Sequence, residues 1–283
     1  MTSDVTYAIH VDCDPLWIYE REYGIELEGH DAIYNQALPD FIRLCANFGI
    51  RATFFMVGQE LETTACSRFC QLALSRGHTI GNHSYTHTVK FAALTDEERD
   101  HEIRLTHARL IALGAVPRGY RSPGYVYSPG IHGTLRELDY RYDSSILPGP
   151  ASLMMSAYLG VIGKSRKSFG VRRNLFASRR ITNLGGSLAC VPIAVMPFLR
   201  MPVHTTFAYQ FGARYLDVGL SLLARSRGHH VLLFHAIDLL KQPADSRSAV
   251  IPLRKSFDER HQLVSRMLSL AAPKSRLTEE LLA

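Results

Sequence analysis

The opening residues of the chain alternate in polarity. In "VTYAIHVDCDP", Tyr7, Ile9, Val11 and Cys13 fall on one side of the series, and Ala8, His10, Asp12 and Asp14 on the other. A period of two predicts a strand with one apolar face and a second face that carries a histidine and two carboxylates. Over 31–49 the spacing changes: "DAIYNQALPDFIRLCANFG" repeats its apolar residues as a helix does and ends on a capping glycine, Gly49. The two patterns then trade places along the chain. "IRATFFMVG" predicts a strand, "TTACSRFCQLALSRG" a helix and "HTIGNHS" a strand, and "TDEERDHEIRLTHARLIALG" predicts a helix opened by a Thr95–Glu98 capping box. "PRGYRSP" and "YRYDSS" predict strands on either side of the helix "PGIHGTLRELD". "HHVLLFHAID" predicts a last buried strand, and "SFDERHQLVSRMLSLAA" a last helix.

Strand–helix repetition on this scale implies parallel strands joined by crossover helices. A length of 283 residues suits one α/β barrel. The rhythm breaks at about 147–212, which predicts an insertion before the last strand of a single 1–283 domain.

Charge singles out the same stretch. The net charge is +6, yet no acid lies between Asp143 and Asp217, where nine cations do: Lys164, Arg166, Lys167, Arg172, Arg173, Arg179, Arg180, Arg200 and Arg214. The remainder of the chain is net negative. Five cysteines at irregular spacing do not read as a disulfide framework. The start "MTSDVTYAIH" lacks the basic and apolar regions of a signal peptide, and no apolar run reaches the ~18 residues of a spanning helix. The expected location is therefore the cytoplasm, with the inner face of the cytoplasmic membrane open to a basic surface.

Polar residues collect where the predicted strands end. His10, Asp12 and Asp14 close the first, His83 and His87 the third, Arg121 the fourth, Asp143 the fifth and His235 the last. In a parallel barrel these ends share one mouth. Each residue alone has a plain structural reading: a strand histidine is usually a core residue, and an aspartate before two serines is usually a turn former. Together they make a set rich in potential metal ligands, acids and bases at a single site.

The order of the set resembles the five motifs of the polysaccharide deacetylase family, also called carbohydrate esterase family 4, spread over roughly residues 7–238. "VDCDP" stands where many members carry adjacent aspartates. "HTIGNHSYTH" matches the histidine motif, "RSPGY" the arginine–proline motif, "YDSS" the fourth motif and "LLFH" the fifth. The resemblance implies a distorted (β/α)7-type barrel and metal-dependent hydrolysis of an N-acyl amide. It implies that Asp14, His83 and His87 hold a divalent ion, zinc by default, with cobalt, manganese and nickel suited to the same ligand types. Asp12 would be the general base toward the attacking water, with Arg121 as its orienting partner. The backbone N–H of Tyr125 would help hold the oxyanion. His235 would be the acid that protonates the leaving amine, with Asp143 tuning it, and Leu233 would line a pocket for the acyl methyl. His10 receives no role.

Cys13 departs from the adjacent-aspartate pattern. On a regular strand, i and i+2 share a face, so Asp-x-Asp needs no bend to aim both carboxylates at one point. Family branches with this spacing act on lipid-linked amino sugars or on cyclic imides and ureides, which points away from chitin and peptidoglycan. Basic clusters beside apolar runs suit an anionic lipid surface. The charge comes without a nucleic-acid-binding motif. The resulting expectation is an N-deacetylase or deformylase of an amino sugar linked to undecaprenyl phosphate, serving lipid A or surface-glycan modification. The alternatives are a cytosolic cyclic imide or ureide amidohydrolase, a peptidoglycan-type deacetylase, and a sugar-binding pseudoenzyme.

Overall fold

The computed structural model describes residues 5–88, 90–151, 153–154, 157, 172–242, 245 and 248–282. Lys164, Arg166 and Lys167, and most of the apolar run from Leu153 to Ile162, lie outside the described residues.

The alternating opening forms β1 (Val5–Cys13), buried along nearly its whole length. It sits between β2 (Thr53–Met56) and β8 (Gly228–His235), parallel to both. The sheet continues from β2 through β3 (Thr79–Asn82), β4 (Gly119–Tyr120) and β5 (Tyr142–Asp143) to β7 (Ala189–Cys190), all parallel, and ends on antiparallel β6 (Thr182–Asn183). Burial on both faces explains why the strands are near-continuous apolar runs wherever they are long. β4 is short because Pro117 and Pro123 remove backbone donors on either side of it.

Part of the stretch expected to interrupt the barrel joins it instead. β7 pairs with β5, and the chain after it crosses to the far edge: Ile193 bridges Val231, His204 bridges Leu233, and Ala194 N–H donates to the Val231 carbonyl at 3.0 Å. This curls the sheet round toward a distorted barrel. Two-residue strands, the second followed closely by Pro192, carry too few positions to show a period, so the sequence pattern passes over them.

Helices cover the outside. α1 (Leu16–Tyr23) follows β1 directly, and α2 (Leu38–Asn47) is entered through a π-helical turn, Ile33–Ala37. Pro39, which lacks an N–H, explains the altered ladder at that entry. α3 (Thr64–Ser75), α4 (Asp96–Ala112) and α5 (His132–Glu137) follow β2, β3 and β4. The Thr95–Glu98 capping box of α4 is formed, with both reciprocal hydrogen bonds in place. Then come α6 (Thr205–Phe211), α7 (Ala213–Arg225), α8 (Phe257–Ala271) and the short α9 (Thr278–Leu281). Among the described residues, no helix is long and apolar enough to cross a membrane.

Inside the barrel two glycines make room for aromatic rings. A Cβ on Gly81 would lie 2.6 Å from the Phe55 ring, and one on Gly119 2.3 Å from Tyr142. The freed rings flank His10, with centroids at 5.0 Å for Phe55 and 5.8 Å for Tyr142.

Candidate active site and metal centre

The carboxyl ends of the strands open into one cleft. It is lined by Asp12, Asp14, His83, His87, Tyr125 and His235 from the expected set, together with His204, Glu22 and a group of apolar residues. Arg121 lies behind Asp12 and is fully buried.

Asp14, just past the end of β1, points one oxygen at two imidazoles. Asp14 Oδ1 is 3.4 Å from Nε2 of His83 and 3.4 Å from Nε2 of His87. The three ligand atoms lie within 4.8 Å of one another. That buried oxygen has no hydrogen-bond donor, which is the condition of a carboxylate arranged for a cation. One oxygen and two imidazole nitrogens, with room on the cleft side, suit zinc or a similar divalent ion.

The two histidines are held from behind. His83 Nδ1 donates to the Arg121 carbonyl at 2.8 Å, which leaves the Nε2 lone pair facing Asp14. The loop that carries His87 turns through left-handed residues at Ser84 (φ 61°) and at His87 itself (φ 45°). Glu102 of α4 pins that loop: its carboxylate accepts from the N–H of Tyr85 and of Thr86 and from the Thr86 hydroxyl, each at 2.8 Å. Burial pushes His87 down to about 4, against the pull of Asp14, so its imidazole is neutral and able to ligate. For Asp14 burial acts upward, but His87 and His83 outweigh it and hold the carboxyl well below the usual range. Glu22 stands 4.0 Å from His87 Nδ1, and burial with the Asp14 charge pushes it up to about 8.

Asp12 sits beside this group, with Oδ2 3.8 Å from His83 Nε2. Its Oδ1 accepts from Arg121 Nη1 at 2.6 Å. The remaining Arg121 donors go to the Ser144 carbonyl (3.1 Å), the Ser144 hydroxyl (2.8 Å) and Nδ1 of His10 (2.7 Å), and the guanidinium lies over the Phe55 ring at 4.4 Å. The role of His10, unassigned in the sequence, follows from its contacts. Nδ1 accepts from Arg121, so Nε2 carries the proton and donates to Thr278 Oγ1 at 2.7 Å. Burial, then Arg121, keeps this imidazole neutral. The signal was its shared face with Asp12.

His235 is the strand partner of Asp12 in the β1–β8 register and lines the same cleft as the ligand set. Two expectations about its surroundings are corrected. Asp143 does not face His235: its Oδ2 lies 3.5 Å from His132 Nε2, and its Oδ1 accepts from the Ser145 N–H and hydroxyl. Four strands separate β5 from β8 along the sheet, and the carboxylate instead braces Ser145, whose hydroxyl accepts from the Ser122 N–H. Asp238 accepts from the His235 backbone N–H at 3.0 Å and from Thr205 at 2.8 Å. Leu233 is fully buried in a cluster with Tyr125, Leu147, Ile193 and Val195. The apolar cleft wall is formed by Leu147, Phe207 and Ile237 instead.

Tyr125 follows Gly124 in a Pro-Gly turn where both residues are left-handed, at φ 59° each. Asn174 Nδ2 fixes the turn by donating to the Tyr125 carbonyl at 3.0 Å. His204, absent from the expected set, packs its ring 5.1 Å from that of His235. Its Nδ1 accepts from the Thr206 N–H as the cap of α6, so Nε2 bears the proton and faces Tyr125 Oη at 3.5 Å. A lone histidine before two threonines carries no sequence signal of this placement.

The family model for polysaccharide deacetylase matches residues 29–142, the stretch that carries His83, His87 and Arg121. Over that stretch the chain is similar to the polysaccharide deacetylase family. Asp12, Asp14 and His235 lie outside the matched stretch, yet the sheet register brings them to the deacetylase-like core. A peptidoglycan deacetylase of Helicobacter pylori is 24% identical over 152 residues, which are 52% of this chain and 51% of that protein. The chain therefore matches about half the length of that curated relative. Among solved structures, one assigned to the polysaccharide deacetylases, from Mycobacterium smegmatis, superposes with a TM-score of 0.63 at 14% identity, covering 100% of this chain and 90% of that one. A family 4 carbohydrate esterase pseudoenzyme from Bacillus anthracis gives 0.52 at 12% identity, covering 100% and 70%. A 4-alpha-glucanotransferase from Thermococcus litoralis gives 0.55 at 16% identity, covering 99% of this chain and 40% of that one. The fold alone thus hosts a deacetylase, a pseudoenzyme and a glucanotransferase, and function has to be argued from the site.

Proposed function

We propose that this chain is a metal-dependent amidohydrolase that removes an acetyl or formyl group from the nitrogen of an amino sugar. The observation that carries the reading is the Asp14–His83–His87 cluster with a separate, arginine-held carboxylate beside it and an imidazole on the neighbouring strand. Asp14, His83 and His87 would hold the ion, which when bound supplies Lewis acidity at the scissile amide. The rest of the chemistry belongs to the protein. Asp12, fixed by Arg121, accepts a proton from the attacking water. His235 delivers a proton to the sugar nitrogen as the C–N bond breaks, because an amine leaves poorly as an anion. Tyr125 and the apolar wall of Leu147, Phe207 and Ile237 position the acyl group. The pseudoenzyme alternative is disfavoured because every acid, base and ligand position is filled.

The finer reading is a substrate linked to undecaprenyl phosphate and handled at the cytoplasmic face of the membrane, in lipid A or surface-glycan modification. The Asp-x-Asp spacing and the acid-free basic stretch support it. A second reading, a peptidoglycan-type substrate, is favoured by the name of the Helicobacter pylori relative. Mass spectrometry of zinc-loaded protein incubated with lipid-linked N-acyl amino sugars, and separately with peptidoglycan fragments, tests both. Loss of an acetyl or formyl mass from the lipid-linked sugar alone supports the first reading, and loss from the glycan fragments alone replaces it with the second. No loss from any N-acyl sugar, with metal bound, overturns the function itself.

A further inference from the structure

Among the described residues, the most exposed of the large apolar side chains fall on neighbouring loops. Phe198 is 91% exposed, Phe176 87% and Leu199 72%. Phe198 and Leu199 form the tip of a tight turn closed by hydrogen bonds between Met196 and Met201 and between Arg200 and Met196. Arg200 ties this turn to the loop carrying Phe176, donating to the carbonyls of Leu175 (3.2 Å) and Ala177 (2.9 Å). On the other side, the Tyr215 hydroxyl donates to the Pro202 carbonyl at 2.7 Å, and the ring of half-exposed Phe211 lies 5.3 Å from Tyr215.

The charge around these tips has one sign. Arg172, Arg173 and Arg180 are exposed and Arg179 is partly so, and among the described residues none of the four forms an ion pair. Arg179 is held below its usual value by partial burial and then by its like-charged neighbours Arg200 and Arg180. A soluble surface seldom gathers three large exposed apolar side chains amid uncompensated cations. The combination is that of a face which inserts shallowly and meets phosphate groups.

The patch is continuous with the cleft. Phe207 lines the cleft and lies 6.1 Å from Phe211 and 6.4 Å from Tyr215. Asn174, two residues before Phe176, holds the Tyr125 turn on the opposite lip. An aromatic row of Phe207, Phe211 and Tyr215 thus runs from the cleft toward the turn of Phe198 and Leu199, which Tyr215 reaches at Pro202.

We infer that this face docks on an anionic lipid bilayer, with Phe176, Phe198 and Leu199 entering the boundary between headgroups and acyl chains and the arginines meeting lipid phosphates. The inference rests on the lipid-linked reading of the substrate for what the row leads to: it would guide the lipid stem while the sugar reaches the cleft.

The test is co-sedimentation of the full chain with vesicles of phosphatidylethanolamine and phosphatidylglycerol, against vesicles of phosphatidylcholine. The chain should pellet with the anionic vesicles, and a Phe176→Ser/Phe198→Ser/Leu199→Ser variant should lose at least about tenfold in partitioning. A Phe198→Trp variant should show blue-shifted emission quenched by brominated acyl chains. Undiminished partitioning of the triple variant overturns the proposal, since adsorption would then be by charge alone, as to any polyanion. An unquenched Trp signal, or no binding to the anionic vesicles, overturns it too. The triple variant should hydrolyse a soluble N-acetylated amino sugar as the parent does. If no N-acyl sugar is hydrolysed by either protein while vesicle binding persists, the substrate reading fails and the docking face stands.

Discussion

Arg121 and Asp12 form a buried ion pair, Nη1 to Oδ1 at 2.6 Å, with 0% and 3% of their side chains exposed. The pair is asymmetric in what each partner can lose. Asn at position 12 still offers an oxygen to Arg121 but cannot act as a base. Asp12→Asn should therefore fold, keep its metal and lose roughly 10²–10⁴ in kcat, the usual range for a general base. Arg121→Lys cannot reach Asp12, His10 and Ser144 together. It should cost about 3–5 kcal/mol of stability as well as activity, because it strands a buried charge. Denaturant melts alongside turnover separate the two outcomes.

Thr278 reaches the site through His10. Thr278→Val leaves the buried Nε2–H of His10 without an acceptor, which should cost about 1–3 kcal/mol and lower the melting temperature. Thr278→Ser restores the acceptor and should restore stability. A drop in kcat with unchanged KM in the valine variant would show that the Arg121–Asp12 geometry depends on this support.

The ligand set predicts metal content directly. Elemental analysis should find one divalent ion per chain, lost in Asp14→Asn, His83→Gln and His87→Gln and retained in Asp12→Asn. Glu102 touches no ligand nitrogen, yet it holds the loop between His83 and His87 by three hydrogen bonds. Glu102→Gln should weaken metal affinity by about 10- to 100-fold, as loss of an outer support does. Calorimetric titration of the apoprotein reads this without any assay of turnover.

Acid should destabilise the fold through His78. Its Nδ1 accepts from the Ala52 N–H at 3.0 Å, and burial, then Arg51, push the imidazole down to about 4. The unfolded chain titrates near ~6.5 and so binds more protons than the folded one between these values. Stability is therefore full above pH ~6.5 and falls through the window down to about 4, by on the order of 2 kcal/mol from this group. His78→Asn, which keeps an acceptor and cannot titrate, should flatten that part of the stability–pH curve.

The sequence carried the site where local geometry sets it. Asp12 and Asp14 share a face because strands have a period of two, and His83 and His87 stand four apart on one loop, so both pairs can be read without knowing the fold. What could not be read depends on packing between distant elements. Asp143 meets His132 at the start of α5, and no spacing encodes that choice. Glu102 braces the histidine loop from α4, where it reads as an ordinary helix-face acid. Leu233 shares a strand face with His235, but the chain crossing from Ile193 to His204 buries it and gives the cleft wall to other residues. β7 eluded the pattern because two residues show no period.

The β1–β8 pairing sets an order of assembly. Asp12, Asp14, His83 and His87 come from the first third of the chain, whereas His235, the register partner of Asp12, arrives only with β8. Joining strands so far apart closes the longest loop in the sheet, and such closures come late. During synthesis at the ribosome, the residues proposed to hold the ion would all emerge well before the residue proposed to donate the proton.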